Sequence, residues 1–141
     1  MAFAISPMEM DIILKLLIAT GLGLLIGLER ETNKSAAGLK TFSIVCMGSC
    51  LFTVAALASG VASAVSGVIS GIGFLGAATI FRNEDKVRGL TTAAVVWATA
   101  AIGVSVGFGL YFAAAAVAAL VLVILIPVEY VEKKLIKSHR Q

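Results

Sequence analysis

The sequence predicts an all-α integral membrane protein, a bundle of five transmembrane helices with its N-terminus outside and its C-terminus in the cytoplasm. Three observations predict it. Of the 141 residues 60% are hydrophobic and only 13% charged, more apolar surface than a core of this size can bury in water. Uncharged stretches approach the roughly 20 residues that cross a bilayer. The basic residues gather at one end of successive stretches, as the positive-inside rule requires.

The first span covers residues 12–28 and stops at Glu29, Arg30 and Glu31, which hydrocarbon does not accept cheaply. Asp11 and Lys15 stand one helical turn apart near its start, a spacing that permits an ion pair, and Lys15 is long enough to snorkel to the headgroups. Residues 39–58 and 61–80 form the second and third spans, joined by a tight hairpin at Ser59 and Gly60. A charged loop over residues 82–88 follows. Residues 90–106 and 110–126 form the last two spans, separated by Gly107, Phe108 and Gly109, and Pro127 closes the helical run. Residues 1–128 thus read as one transmembrane domain and 129–141 as a short basic cytoplasmic tail. Residues 1–10 carry acid and no basic stretch, and the first apolar run is long enough to span, so it reads as a retained helix.

The Lys and Arg count sets the orientation. Arg30, Lys34 and Lys40 follow the first span, Arg82, Lys86 and Arg88 the third, and Lys133, Lys134, Lys137 and Arg140 the fifth, so ten of the eleven basic residues share one side and only Lys15 falls elsewhere. Fusing the last two spans would put the basic tail across the membrane. The expected location is therefore the cytoplasmic (inner) membrane, multi-pass, with the lipid bilayer as the first partner.

Several function classes lose support. The net charge of +3 does not indicate nucleic acid, because the basic residues form no continuous face and lack interleaved aromatics. Cys46 and Cys50 lie four apart in an apolar segment without a second thiol pair, and read as small packing residues. The single histidine, His139, lies in the tail, and no nucleophile and base stand at recognisable spacing. Neither an enzyme nor a cofactor is expected, and the sequence names no metal ligand.

Gly71, Gly73 and Gly76 spell the G-x-G-x-x-G string of dinucleotide-binding proteins, but that reading needs a preceding strand and a later acidic ribose ligand. In an apolar helix such glycines let a neighbouring helix approach, as do Gly23 with Gly27, Gly67 with Gly71, and Gly103 with Gly107. Ser63, Gly67 and Ser70 share one face of the third span, and Thr92, Thr99 and Gly103 one face of the fourth. These two faces are expected to meet, either as packing with the hydroxyls bonded to their own helices or as a polar path for an ion. No carboxylate lies deep in any span. What remains is a cytoplasmic rim of both signs: Glu29, Arg30, Glu31, Lys40, Arg82, Glu84, Asp85 and Arg88. On an ideal helix Arg30 continues the Gly23 and Gly27 face while Glu29 points away, so Arg30 is expected to pair within the chain.

Four strings carry a resemblance: GLERE at residues 27–31, AGLKT at 37–41, SGIGFLGA at 70–77 and VRGLTTAA at 87–94. Together they resemble the MgtC/SapB family of bacterial and archaeal inner-membrane proteins, over roughly residues 16–111 and including Trp97 and residues 101–103. The resemblance implies a five-helix membrane domain, often dimeric, associated with magnesium limitation, acid or phosphate stress and survival inside host cells. It implies either an ion or small-solute conduit or a non-transporting regulator that binds another membrane protein, such as the ATP synthase. The matching residues that could act are Glu29, Arg30, Glu31, Lys40, Thr41, Arg88, Thr91 and Thr92. The family's Asp-Pro-x-Arg string before SGIGFLGA is absent, with Gly60, Val61 and Ser63 in its places, Phe42 stands where His is common, and Ala78 where Gly is common. Longer members add a soluble C-terminal domain, whose activity does not carry over to residues 129–141.

Overall fold

The computed structural model describes residues 6–83 and 86–138. They form five α-helices: α1 (Pro7–Thr32), α2 (Leu39–Ala58), α3 (Val65–Ala78, preceded by a single 3-10 turn at Ala62–Ala64), α4 (Leu90–Gly107) and α5 (Tyr111–Ser138). Between α3 and α4 stands a two-stranded antiparallel hairpin, β1 (Phe81–Asn83) with β2 (Lys86–Arg88), pairing Phe81 with Arg88 and Arg82 with Val87. Glu84, Asp85 and His139 lie outside the described residues. Three helices, α1, α2 and α4, are long and apolar enough to cross a membrane, and residues 62–78 and 111–126 are shorter apolar helices. Large apolar side chains stand on the outer surface, among them Phe112 at 95% and Phe74 at 77% exposed. Water would penalise so continuous an apolar exterior, and lipid does not.

Local chemistry sets the helix ends. The Ser6 hydroxyl accepts from the Glu9 amide while the Glu9 carboxylate accepts from the Ser6 amide, a capping box in front of Pro7 at the first helical position. Gly60 closes α2 at φ 72°, its amide bonded to the Leu57 carbonyl and the Val61 amide to Ala56. Gly109 closes α4 in the same way at φ 80°, with bonds from its amide to Val106 and from Leu110 to Ser105. The expected break at Pro127 does not occur, because α5 runs on to Ser138. A proline removes one N–H from the ladder, which membrane helices tolerate. The segment read as a short basic tail is therefore helical as far as Ser138.

The core lies where α1, α2 and α4 meet. A β-carbon built on Gly23 would come 2.9 Å from Cys46 Cβ and 2.7 Å from the Phe42 carbonyl oxygen, and one on Gly27 would come 2.7 Å from Leu39 Cα. On the other side of α2, Gly103 presses against the Cys46 carbonyl, and a β-carbon on Gly107 would come 2.6 Å from Thr53 Cβ. Between these contacts Ile26, Phe42, Cys46, Cys50, Ile102 and Val106 are wholly buried. With lipid as apolar as leucine, close van der Waals packing is what holds such helices together, and glycine permits it. Cys46 and Cys50 are free thiols within this core.

The expected meeting of the third- and fourth-span faces needs correction. The Thr99 and Gly103 face of α4 turns to α2, where Gly103 meets Cys46 and Ser49. Ser63, Gly67, Ser70, Gly71 and Gly73 are exposed, and a β-carbon on Gly67, Gly71 or Gly73 would meet nothing within 4 Å. Of the third-span glycines expected to admit a neighbour, Gly76 does so, lying buried against Ala93. Helix α3 turns Val65, Ile72 and Gly76 to the bundle, while Ile69, Phe74 and Leu75 stand exposed.

Candidate functional site

Of the rim residues, Glu29, Arg30 and Glu31 stand in the last turns of α1. The guanidinium of Arg30 grips the Glu29 carboxylate through Nε and Nη2, the latter 2.7 Å from Oε1. Asn33 Nδ2 donates to the same Oε1 at 2.8 Å. Both charged side chains are over 90% buried, at 9% and 8% exposed. Neighbouring residues on a helix do not normally face one another, and the pair forms because the Arg30 side chain is long enough to fold back. This corrects the expectation that Glu29 points away from the bundle. The geometry is a fork on a carboxylate, in which each charge compensates the desolvation of the other.

The chain leaves α1 through Lys34 at φ 55°, with the Ser35 amide bonded to the Arg30 carbonyl, and the Ser35 hydroxyl then lies 3.0 Å from the Thr92 hydroxyl at the start of α4. That contact ties the α1–α2 connection to α4. Glu31 has a different task. Its Oε2 accepts from the Leu39 amide at 3.0 Å, so the carboxylate caps the start of α2 where Gly38 offers no side chain. Lys40, Thr41, Thr91 and Arg88 stand exposed around this end.

The interior hydroxyls are occupied by their own helices. Thr53 donates to Ser49 O at 2.8 Å, and Thr99 to Val95 O at 2.7 Å. Among the described residues no group of three or more His, Cys, Asp or Glu is placed to hold a metal ion. Lys15 pairs with Asp11 at 2.9 Å, far from the rim along α1. Gly60, at the first position of the missing Asp-Pro-x-Arg string, serves as the left-handed residue that ends α2.

Sequence reasoning missed Asn33, Ser35 and Ser49. Asn33 and Ser35 sit in a stretch read only as a connection, and the signal available was the cluster of capping residues after a charged helix end. Ser49 looked like one more small residue in an apolar span, yet it is 2% exposed and, among the described residues, its hydroxyl is the buried side-chain polar atom without a hydrogen-bond partner.

Five helices, an apolar exterior and a charge pair buried at one end define a helical membrane protein. Residues 16–134 match the model of the MgtC family, and the chain belongs to that family. It is 38% identical over 133 residues to protein SapB of Bacillus subtilis, covering 85% of this chain and 56% of that one. It is 44% identical over 100 residues to protein MgtC of Salmonella typhimurium, covering 69% and 43% respectively. Protein SrpB of Synechococcus elongatus is 39% identical over 115 residues, covering 69% and 63%. The chain thus spans roughly half the length of these curated relatives. No solved structure matches.

Proposed function

We propose that this chain is a regulator in magnesium and ion homeostasis and stress adaptation, seated in the cytoplasmic membrane with its rim toward the cytoplasm, and that it acts as a homodimer by binding a membrane-protein partner. The observation that supports binding over conduction is the filling of the bundle centre. Where α1, α2 and α4 meet, Ile26, Phe42, Cys46 and Ile102 fill the core at 0% exposure. The hydroxyls of Thr53 and Thr99 that a polar path would use are bonded to their own backbones. Lys40, Thr41, Thr91 and Arg88 are left outside, as a partner requires. The orientation rests on the basic residues that share this end.

The test is complementation of growth at low magnesium in a strain that depends on the chain, combined with detergent co-purification. Lys40→Glu and Arg88→Glu, which alter only exposed charge, should lose both growth support and any co-purifying membrane protein while inserting normally. Full complementation by both variants would refute the rim as the contact surface. A second reading, ion movement, draws on the buried Glu29–Arg30 pair, since charges within membrane segments often mark ion pathways. It predicts that Glu29→Ala or Arg88→Ala lowers flux in liposomes.

A further inference from the structure

The β1–β2 hairpin takes no part in the contacts that hold the rim, and its base carries a patch of mixed character. The register pairs Phe81 with Arg88, so both side chains lie on one face. Phe81 and Val87 are each 53% exposed, and Ile80 and Leu90 beside them are exposed too. The Arg88 guanidinium is exposed and makes no hydrogen bond or ion pair among the described residues. Of the five charged residues over 82–88, the acidic Glu84 and Asp85 lie between the strands, while Arg88 stands at the base.

Three contacts fix the depth of this patch. Gly76 of α3 lies against Ala93 of α4, the Thr92 hydroxyl meets that of Ser35, and the Ser35 amide bonds the Arg30 carbonyl. The ends of α3 and α4 therefore stand level with the Glu29–Arg30 pair, where apolar helix gives way to charge. The hairpin base lies immediately beyond them, closed by Gly89 against the Thr79 carbonyl. The interfacial layer on each side of a bilayer is roughly 5–7 Å thick, and a strand of this length spans about 10 Å. Phe81 and Arg88 thus lie within the headgroup layer.

We infer that the hairpin base is a docking site for one anionic phospholipid: the Arg88 guanidinium takes its phosphate, and Phe81, with Ile80 and Leu90, lies along the first part of its acyl chains. A guanidinium presents a planar fork of donors that matches phosphate oxygens. With the orientation proposed above, the base faces the cytoplasmic leaflet, which carries the anionic lipids. An acidic protein segment would satisfy Arg88 alone. The apolar half of the patch favours lipid, because it continues the lipid-facing exterior of α3, where Phe74 is exposed. The lipid site does not depend on the regulatory reading, since its test reads bound phospholipid and neither growth nor a captured protein.

The experiment is native mass spectrometry of the full chain released from detergent micelles, with added phosphatidylglycerol or phosphatidylcholine of identical acyl chains. One phosphatidylglycerol should bind about fivefold more tightly than phosphatidylcholine, the margin of one arginine at an anionic surface. Arg88→Gln should bring the two lipids to parity. Phe81→Ser should weaken both alike and leave their ratio unchanged. Lys34→Gln, which removes an exposed charge of the same sign at the same end, should keep the full preference. No preference in the unsubstituted chain, a preference that survives Arg88→Gln, or one lost equally in Lys34→Gln would overturn the proposal. So would displacement of the lipid by glycerol 3-phosphate, which would make a free phosphate ester the ligand. A photoreactive phenylalanine analogue at position 81 should crosslink phospholipid in native membranes, and capture of a protein there instead would equally overturn it.

Discussion

Gly103 of α4 lies against the backbone carbonyl of Cys46 on α2, so closely that a β-carbon on the glycine would overlap that oxygen. On the opposite side a β-carbon on Gly23 of α1 would come 2.9 Å from Cys46 Cβ. One residue of α2 is thus clasped between glycines of two helices, and the spacing of the whole three-helix core follows from it.

Gly103→Leu should therefore force α2 and α4 apart and destabilise the protein by about 1–3 kcal/mol or more, the range for overpacking a filled core. Gly71→Leu should change the melting temperature little, because nothing lies within 4 Å of its β-position. Thermal unfolding of both variants in the same detergent checks the contrast. Equal losses would mean that the close approach at Cys46 does not organise the core.

The Glu29–Arg30 pair predicts an asymmetry between single and double substitutions. Arg30→Ala alone leaves a buried carboxylate and should cost about 3–5 kcal/mol, as should Glu29→Ala for the guanidinium. Glu29→Gln combined with Arg30→Met removes both charges and should recover most of the loss. A double variant no more stable than either single one, by thermal unfolding, would argue against mutual compensation.

Gly89 and Gly109 separate strain from contact. Both have positive φ, at 89° and 80°, but only Gly89 abuts a neighbour, the Thr79 carbonyl, whereas nothing lies within 4 Å of a β-carbon on Gly109. Gly109→Ala should cost about 1 kcal/mol from the left-handed backbone alone. Gly89→Ala should cost distinctly more. Comparable melting temperatures for the two would remove the contact from the account.

Glu31→Ala should lower stability by about 1 kcal/mol through loss of the cap on α2. It should leave growth at low magnesium intact, because the carboxylate serves the fold. A failure to complement without any loss of stability would reassign Glu31 to function.

These relationships were unevenly legible in the sequence. Gly60 and Gly109 announced the ends of α2 and α4, since glycine after an apolar run is the usual left-handed stop. Gly23, Gly27 and Gly103 read correctly as sites of close approach. The partner of the Thr99 and Gly103 face did not, because periodicity shows that a face is small without showing which helix covers it. Glu29 was misplaced because an ideal helical wheel fixes the Cβ direction and says nothing of a flexible arginine folding back. The hairpin of β1 and β2 was hidden in a charged stretch too short for a period-two pattern. The helix beyond Pro127 is not legible from the proline, which ends soluble helices but is tolerated inside membrane helices.

A filled bundle that acts by binding should pass no magnesium. Magnesium entry into liposomes holding an indicator dye, with the purified chain reconstituted at increasing density, decides between binding and conduction. The expected rate equals that of protein-free liposomes at every density. A magnesium flux that rises with protein density and falls in Glu29→Ala would contradict it.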